Sequence, residues 1–371
     1  MKKNLRRPVS RTTARTYFTV IKLPLTKFYF TAIFFLLVIA TTAQTLSTSE
    51  LDAIQNSIAK KNIIGFGEPE HFYKGYYDSK IEIIKYLILH KKIDAIFFEA
   101  SAAECRNIDR YVKGASNDSI IKTLHQLNEG YNYRKEGLFD CDEILNFLQW
   151  LRRKNMSTEK KVSVYGIDFQ NAQTPIEELK NILKSNTHLQ ENLDSLQDNF
   201  DSLLKEMIEN PVKIYMDTTW KKLATRNYLL AKTVRSLIKE SDTKYWSNFY
   251  GKQLEEYAYI YTDPNLQRDS LMFENFKLQY HSQERVLLWA ADFHIANDST
   301  VNHMGRALTL GAFLKKEYGA QYFTIALDED KEPVIADFKR IIFPIPKGNE
   351  AFQKYDMIIK CKKGDRASRL N

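Results

Sequence analysis

The chain has 371 residues, of which 44% are hydrophobic and 27% are charged, so it can bury a large core and is neither a disordered polymer nor a disulfide-stapled mini-protein. Lys and Arg outnumber Asp and Glu by 54 to 46, but eight of the basic residues precede Glu50, the first acidic residue. These eight account for the whole excess of +8, so the remainder is neutral and predicts no nucleic-acid partner.

A basic segment followed by an apolar run opens the chain. Phe28 to Ala43 is uncharged and mostly apolar, and its last three residues are small enough for a signal peptidase site. The run is shorter than the roughly 20 residues that a spanning helix needs. We therefore predict a signal peptide over residues 1–43 and an exported protein, periplasmic or secreted. The length of the basic segment leaves an uncleaved N-terminal membrane anchor as the alternative.

Four apolar runs in residues 44–371 each lead into an ionisable residue. They are residues 62–67 before Glu68, 93–98 before Glu99, 162–167 before Asp168, and 286–291 before Asp292 and His294. Tyr322 to Leu327 and Met357 to Cys361 are candidates for further strands, and apolar residues at helical spacing lie between the runs. This alternation predicts an α/β domain with a mostly parallel sheet flanked by helices.

The stretch from about 174 to 260 has a different pattern. Apolar residues recur three and four positions apart from Leu189 to Met207 and again from Trp220 to Leu237, with Pro211 between the two series. This spacing predicts two long antiparallel helices that form an arm inserted in the α/β domain. Such stripes are typical of helix-packing surfaces.

Ionisable residues gather where the predicted strands end. They are Glu68, His71, Glu99, Asp168, Asp292 and His294. The carboxyl edge of an open parallel sheet is where ligands bind, so we expect these side chains to share a cleft. A His beside a Glu in such a cleft can act as a general base near neutral pH. The chain lacks GxSxG, HExxH and GxxxxGK motifs, which argues against a serine hydrolase, a zincin and a P-loop enzyme.

Six segments together resemble the erythromycin esterase family. They are Gly65-Phe66-Gly67-Glu68-Pro69-Glu70-His71 with Lys80; Phe98-Glu99; Trp150-Leu151-Arg152 with Asn155; Tyr165-Gly166-Ile167-Asp168; Arg268-Asp269 with Met272 and Asn275; and Leu288 to His294 followed by Met304-Gly305. The resemblance implies a metal-independent hydrolase that cleaves an ester or lactone of a small molecule, without a cofactor.

The resemblance also implies roles for individual residues. His71 would activate water, Glu68 and Glu99 would orient and polarise the site, and His294 would lie on the opposite wall. Lys80 stands where the family usually has Arg and would place a positive charge near the oxyanion. Asp168, Arg268 and Asp292 are expected to contact the substrate.

Two other hypotheses follow from the same residues. The carboxylates and imidazoles include ligands that suit a divalent cation, which makes metal-dependent hydrolysis the runner-up. The family's later motif commonly reads Ala-His-Asn-x-His, whereas Ala291 and Asp292 stand here in place of the first His and the Asn. This difference favours as a third hypothesis a non-catalytic envelope protein that binds ligands in the same cleft. No feature of the sequence specifies an oligomeric state.

Overall fold

The computed structural model describes residues 46–115, 120–127, 138–209, 218–241, 245–262, 268–297, 308–329, 342–344 and 354–370. All of them belong to one unit, residues 46–371. The predicted signal peptide over residues 1–43 lies outside the described residues. No helix in the described ranges is long and apolar enough to cross a membrane.

Within the described ranges, seven strands form a single sheet. They are β1 (Ile63–Glu68), β2 (Ala95–Ser101), β3 (Ser163–Asp168), β4 (Val286–Ala291), β5 (Tyr322–Glu329), β6 (Ile342–Pro344) and β7 (Met357–Cys361). Their order across the sheet is β3-β2-β4-β1-β5-β7-β6. Every neighbouring pair is parallel except β6 and β7, which are antiparallel. The chain places β2 and β3 on one side of β1, then returns with β4 to the gap between β1 and β2.

Twelve α-helices fall in the described ranges. They are α1 (Thr48–Ser57), α2 (Lys74–Leu89), α3 (Ala102–Val112), α4 (Ile120–Leu127), α5 (Asp142–Met156), α6 (Gln173–Ile182), α7 (Thr187–Glu209), α8 (Thr218–Ser241), α9 (Tyr245–Tyr259), α10 (Arg268–Gln279), α11 (Asp292–Ile295) and α12 (Leu310–Tyr318). A 3-10 turn, Gly319–Gln321, leads from α12 into β5.

Both faces of the sheet are buried, as a parallel sheet requires. On β1, Ile64 and Phe66 belong to one core, which also contains Trp289 and residues of α2 and α5. Ile63 belongs to the core on the other face, which includes Phe276 of α10 and residues of α12. Because both faces are covered, the strands read as nearly continuous apolar runs, and the predicted α/β class with a mostly parallel sheet is confirmed.

The arm differs in detail from the prediction. Within the described parts of residues 173–259 there are four helices, α6 to α9, and α7 and α8 are the two long ones that the prediction anticipates. Trp220 contacts Tyr261 and Arg235 contacts Glu255, so α8 and α9 run antiparallel. The leucine stripe of α7 packs into a core shared with α8 and α9. The predicted stripes are therefore helix-packing surfaces.

Candidate active site

The predicted site residues meet at the carboxyl edge of four adjacent strands. Glu68 is the last residue of β1 and Asp168 the last of β3, while Asp292 begins α11 directly after β4. Glu99 lies inside β2, two residues before its end. The order β3-β2-β4-β1 therefore places the four acidic positions side by side.

A β-bulge in β2 redirects Glu99. Phe98 pairs with Gly166 of β3, and the next pair is Ser101 with Asp168, so Glu99 and Ala100 together face one residue of β3. A bulge interrupts the alternation of a strand and re-aims a side chain, often beside an active site. Glu99 lies at this shift in register, and its carboxylate reaches Ala291 at the end of β4.

Glu99 is the carboxylate on which the other groups converge. Its Oε2 accepts a hydrogen bond of 2.8 Å from the backbone N–H of Ala291, and its Oε1 lies 3.4 Å from Nη2 of Arg268. Nε2 of His294 is 3.1 Å from the same Oε1, and Nε2 of His71 is 4.0 Å from Oε2. Burial alone would raise the pKa of Glu99, but the charges of His294, His71 and Arg268 outweigh it and hold the pKa well below its usual value.

His294 is a buried cation between two carboxylates. Its Nδ1 donates to Oδ2 of Asp269 at 2.9 Å, while Nε2 forms an ion-pair contact with Glu99 that is not a well-aligned hydrogen bond. The side chain is 3% exposed. Burial would lower the pKa of His294, but Glu99 and Asp269 raise it to about 10. With both ring nitrogens occupied, His294 supplies charge and position rather than a free base.

His71, unlike His294, is partly exposed and has a lowered pKa. Its Nδ1 lies 2.9 Å from Oε1 of Glu68, and its side chain is 23% exposed, so the ring joins the buried cluster to the surface. Burial lowers the pKa of His71. The negative charges of Glu99 and Asp292 oppose this shift, whereas the positive charges of His294 and Arg268 add to it. His71 is therefore neutral at neutral pH.

Lys80 lies beneath the site rather than at its surface. The side chain is fully buried, and its ammonium contacts the carboxylate of Glu68 and donates to the carbonyl of Ala290 at 3.1 Å. Its Nζ is also 5.4 Å from the ring centre of Phe66 and 5.0 Å from that of Trp289. Burial lowers the pKa of Lys80 well below its usual value. Lys80 thus balances Glu68 from below, and its expected role near a substrate oxyanion stays a prediction.

Arg268 and Asp168 form a pair at the β3 side of the site. Nε of Arg268 donates to Oδ1 of Asp168 at 3.2 Å, and Nη2 contacts Oδ2 as well, in the two-point geometry that guanidinium and carboxylate groups favour. Asp168 is completely buried and orients Arg268, and its expected contact with a substrate stays a prediction. Arg268 is 24% exposed and is the member of the pair that reaches the surface.

Asp292 is held close to β1. A Cβ added to Gly67 would come within 2.5 Å of the Cα of Asp292, so only Gly permits this approach of β1 and α11. Asp292 also accepts a hydrogen bond from the hydroxyl of Tyr355, whose pKa is raised by burial and then by Asp292. The short helix α11 thereby places Asp292 against the end of β1 and His294 within reach of Glu99.

Two contributors escaped the sequence reasoning. Asp269 follows Arg268 in the sequence motif, and in the structure it pairs with His294. Its position in the first turn of α10, next to a motif Arg, was the available signal. Tyr355 lies in a stretch with no motif. Among the described residues no group of three or more His, Cys, Asp or Glu side chains is arranged to hold a metal ion.

The geometry defines a class of protein: an α/β protein whose central strands carry a buried chain of carboxylates and cations ending in a part-exposed, neutral imidazole. Such a cluster is suited to general base chemistry.

Solved structures share the fold. A Bacillus cereus protein matches with a TM-score of 0.64 and 18% identity, over 89% of this chain and 95% of the other. A protein described as a succinoglycan biosynthesis protein matches with a TM-score of 0.65 and 15% identity, over 89% of this chain and 96% of the other. A mutant of the erythromycin esterase EreC in its open conformation matches with a TM-score of 0.55 and 17% identity, over 87% of this chain and 81% of the other. At these identities the likeness establishes the fold.

The family follows from the sequence model of erythromycin esterase, which matches residues 88–350. The chain belongs to the erythromycin esterase family, as its motifs predict. The matched range includes Glu99, Arg268 and His294 but begins after His71. The family assignment supports a hydrolase of this family.

We expect His294→Ala to destabilise the protein by about 3–5 kcal/mol at pH 6.5, because it leaves Glu99 and Asp269 buried without the cation between them. The folded pKa of about 10 lies above the ordinary value of 6.5. The stabilisation is therefore complete below pH 6.5 and is lost as the pH rises through 10.

Urea unfolding of wild type and variant at pH 6.5, 8 and 10 measures this difference, which should shrink at each step. His188→Ala, at an exposed helical position, is the matched control and should change stability little. A difference that is small at pH 6.5, or that stays constant to pH 10, contradicts the assignment of His294 as a cation.

Proposed function

We propose that the protein is a hydrolase that cleaves an ester or lactone bond of a small molecule with water activated by His71. The observation that carries this proposal is the state of His71, which is held by Glu68 on one ring nitrogen, has a lowered pKa and is exposed to solvent in part. These are the properties of a general base that works near neutral pH.

The contact with Glu68 selects the tautomer. A carboxylate accepts hydrogen bonds, so Nδ1 of His71 carries the proton and donates it to Oε1 of Glu68. Nε2 is then the basic nitrogen. Lys80 compensates the charge of Glu68, so Glu68 can orient the ring while burial still keeps the imidazole neutral.

In the proposed reaction, Nε2 of His71 takes a proton from water as the water oxygen forms a bond to the carbonyl carbon. The carbonyl oxygen becomes an oxyanion. Arg268, which is partly exposed and oriented by Asp168, is our candidate for the group that faces this charge. As the tetrahedral intermediate collapses, the bond to the alcohol oxygen breaks and Nε2 returns its proton to that oxygen.

The metal-dependent alternative has weaker support. The side chains it requires are paired with one another: Glu68 with Lys80 and His71, and His294 with Glu99 and Asp269. A cation would have to displace these contacts. The proposal therefore keeps proton transfer at His71 as the central step.

Replacement of His71 by Asn tests the base directly. The Asn amide can still donate to Glu68, but it has no basic nitrogen, so we expect turnover to fall by about 10²–10⁴-fold. The assay is hydrolysis of a panel of aryl esters and lactones, with urea unfolding to show that stability is retained. Glu68→Gln is a poorer test, because it leaves Lys80 buried without its carboxylate.

His188→Asn is the control for this experiment and should retain full activity. Turnover that survives in His71→Asn contradicts the proposed base. A wild-type protein that binds these compounds but hydrolyses none would support the non-catalytic hypothesis instead.

The pH dependence of kcat/KM should be bell-shaped. Activity rises as His71 loses its proton, with an apparent pKa below the ordinary 6.5, because the folded protein lowers that pKa. It falls again near pH 10, where His294 loses its charge. An acidic limb centred above 6.5 would mean that the site favours the protonated form of His71 and would contradict the proposal.

We also propose that the protein is exported, from the basic and apolar segments of residues 1–43. Cell fractionation followed by N-terminal sequencing checks this. The expected product is an extracytoplasmic protein that begins at Gln44, after cleavage behind Ala43. Full-length protein in the membrane fraction would indicate the uncleaved anchor, and full-length protein in the cytosol would contradict export.

A further inference from the structure

A segment far from the site in sequence lies against the turn that carries His71. The turn comprises residues 70–75, between β1 and α2, and the segment comprises residues 362–370, after β7. We call this segment the strap. The motifs of the site do not include it, and its sequence has no helical or strand periodicity.

Backbone hydrogen bonds join the strap to the turn at successive positions. The N–H of Gly75 donates to the carbonyl of Lys363 at 3.0 Å, and the N–H of Lys74 donates to the carbonyl of Asp365 at 2.9 Å. On the next residues of both segments, Tyr73 and Arg366 form an antiparallel bridge. The strap thus pairs with the turn much as an added short strand would.

The residue after His71 is fixed from both sides. Phe72 has φ of 73°, a left-handed conformation that an aromatic residue seldom adopts and that surrounding contacts must impose. Its N–H donates to the hydroxyl of Tyr77 at 3.2 Å, and its carbonyl accepts from the N–H of Ala367 at 2.6 Å. The strap therefore supplies one of the hydrogen bonds that hold this strained residue beside His71.

Side chains of the strap contact the same turn. Nζ of Lys363 lies 2.8 Å from Oε2 of Glu70, the residue before His71, and 4.0 Å from the ring centre of Tyr73. The guanidinium of Arg366 lies 5.0 Å from the same ring. A Cβ added to Gly75 would come within 1.9 Å of the carbonyl oxygen of Lys362, so the close fit needs Gly at this position.

The far end of the strap is anchored separately. Nε of Arg369 donates to Oδ2 of the fully buried Asp140 at 2.6 Å, and the N–H of Leu370 donates to the carbonyl of Asp140 at 2.7 Å. Arg369 also forms an antiparallel bridge with Cys141. The hydroxyl of Tyr77, which bonds Phe72, donates to the carbonyl of Leu138 in the same neighbourhood. The strap is therefore fixed at both ends around the turn.

We propose that the strap is a positioning element for His71, with Lys363 as the residue that holds the turn from its exposed side. This inference rests on the proposed function of His71 as the base. Lys363 does not touch the reacting atoms; it acts through Glu70 and Tyr73, which lie in the turn on either side of His71.

Lys363→Ala tests the proposal with little risk to folding, because the pair with Glu70 is at the surface and contributes little to stability. We expect kcat to fall by about 10-fold or more, toward the roughly 10²-fold that a misplaced catalytic group can cost, while KM stays unchanged. Lys363→Arg keeps the charge and should restore most of kcat. Ser368→Ala, at an exposed strap residue, is the control and should behave as wild type.

A second readout does not depend on ester hydrolysis. Diethylpyrocarbonate modifies neutral imidazoles, and peptide mass spectrometry follows the rate at His71. Lys363→Ala should raise this rate several-fold relative to wild type and Ser368→Ala, because a looser turn exposes the ring. Should the wild type hydrolyse no ester, the proposed function fails, and the modification rates alone decide whether the strap positions His71.

Unchanged kcat and unchanged modification of His71 in Lys363→Ala would overturn the proposal. So would an equal loss of kcat in the Ala and Arg variants, since the inference assigns the effect to the positive charge. A fall in kcat that merely follows a lower unfolding midpoint would also overturn it, because that result describes stability rather than position.

Discussion

The site depends on how one buried carboxylate is kept charged. Glu99 lies in a central strand, where an uncompensated charge would cost several kcal/mol. The backbone N–H of Ala291 and the cations of His294 and Arg268 surround it, and their charges lower its pKa against the effect of burial. Glu99 lies where the β2–β3 register shifts, and its carboxylate reaches the end of β4 at Ala291. Without these partners, the buried charge of Glu99 would be uncompensated and would destabilise the folded protein.

Glu99 separates two imidazoles that have opposite protonation states. His294 is enclosed by Glu99 and Asp269 and stays positive. His71 has one close carboxylate, Glu68, whose charge Lys80 balances, and its Nε2 lies 4.0 Å from Glu99. The buried cation in turn makes a second cation at His71 less favourable. One cluster thus contains a positive charge at His294 and a neutral base at His71. The contacts that keep His294 charged also favour the neutral form of His71.

The sequence predicted the sheet and much of the site for a simple reason. Strands buried on both faces read as apolar runs, and the carboxyl ends of parallel strands meet at one edge, so Glu68, Glu99 and His294 converge as expected. The sequence did not predict how deeply each side chain of the site is buried. Lys80 lies on the same side of its helix as core residues. Only the packed structure shows that its ammonium is fully buried and contacts Glu68. Strand β6 and the strap depend on long-range backbone pairing, which leaves no periodic signal.

The protonation states of the two imidazoles are the most direct test of this account. Nitrogen-15 NMR at pH 8 on protein with labelled His, assigned by His71→Asn and His294→Ala, reports each ring nitrogen separately. The account predicts a doubly protonated ring at His294 and, at His71, a neutral ring with its proton on Nδ1. A neutral ring at His294, or a doubly protonated ring at His71, would contradict the central claim.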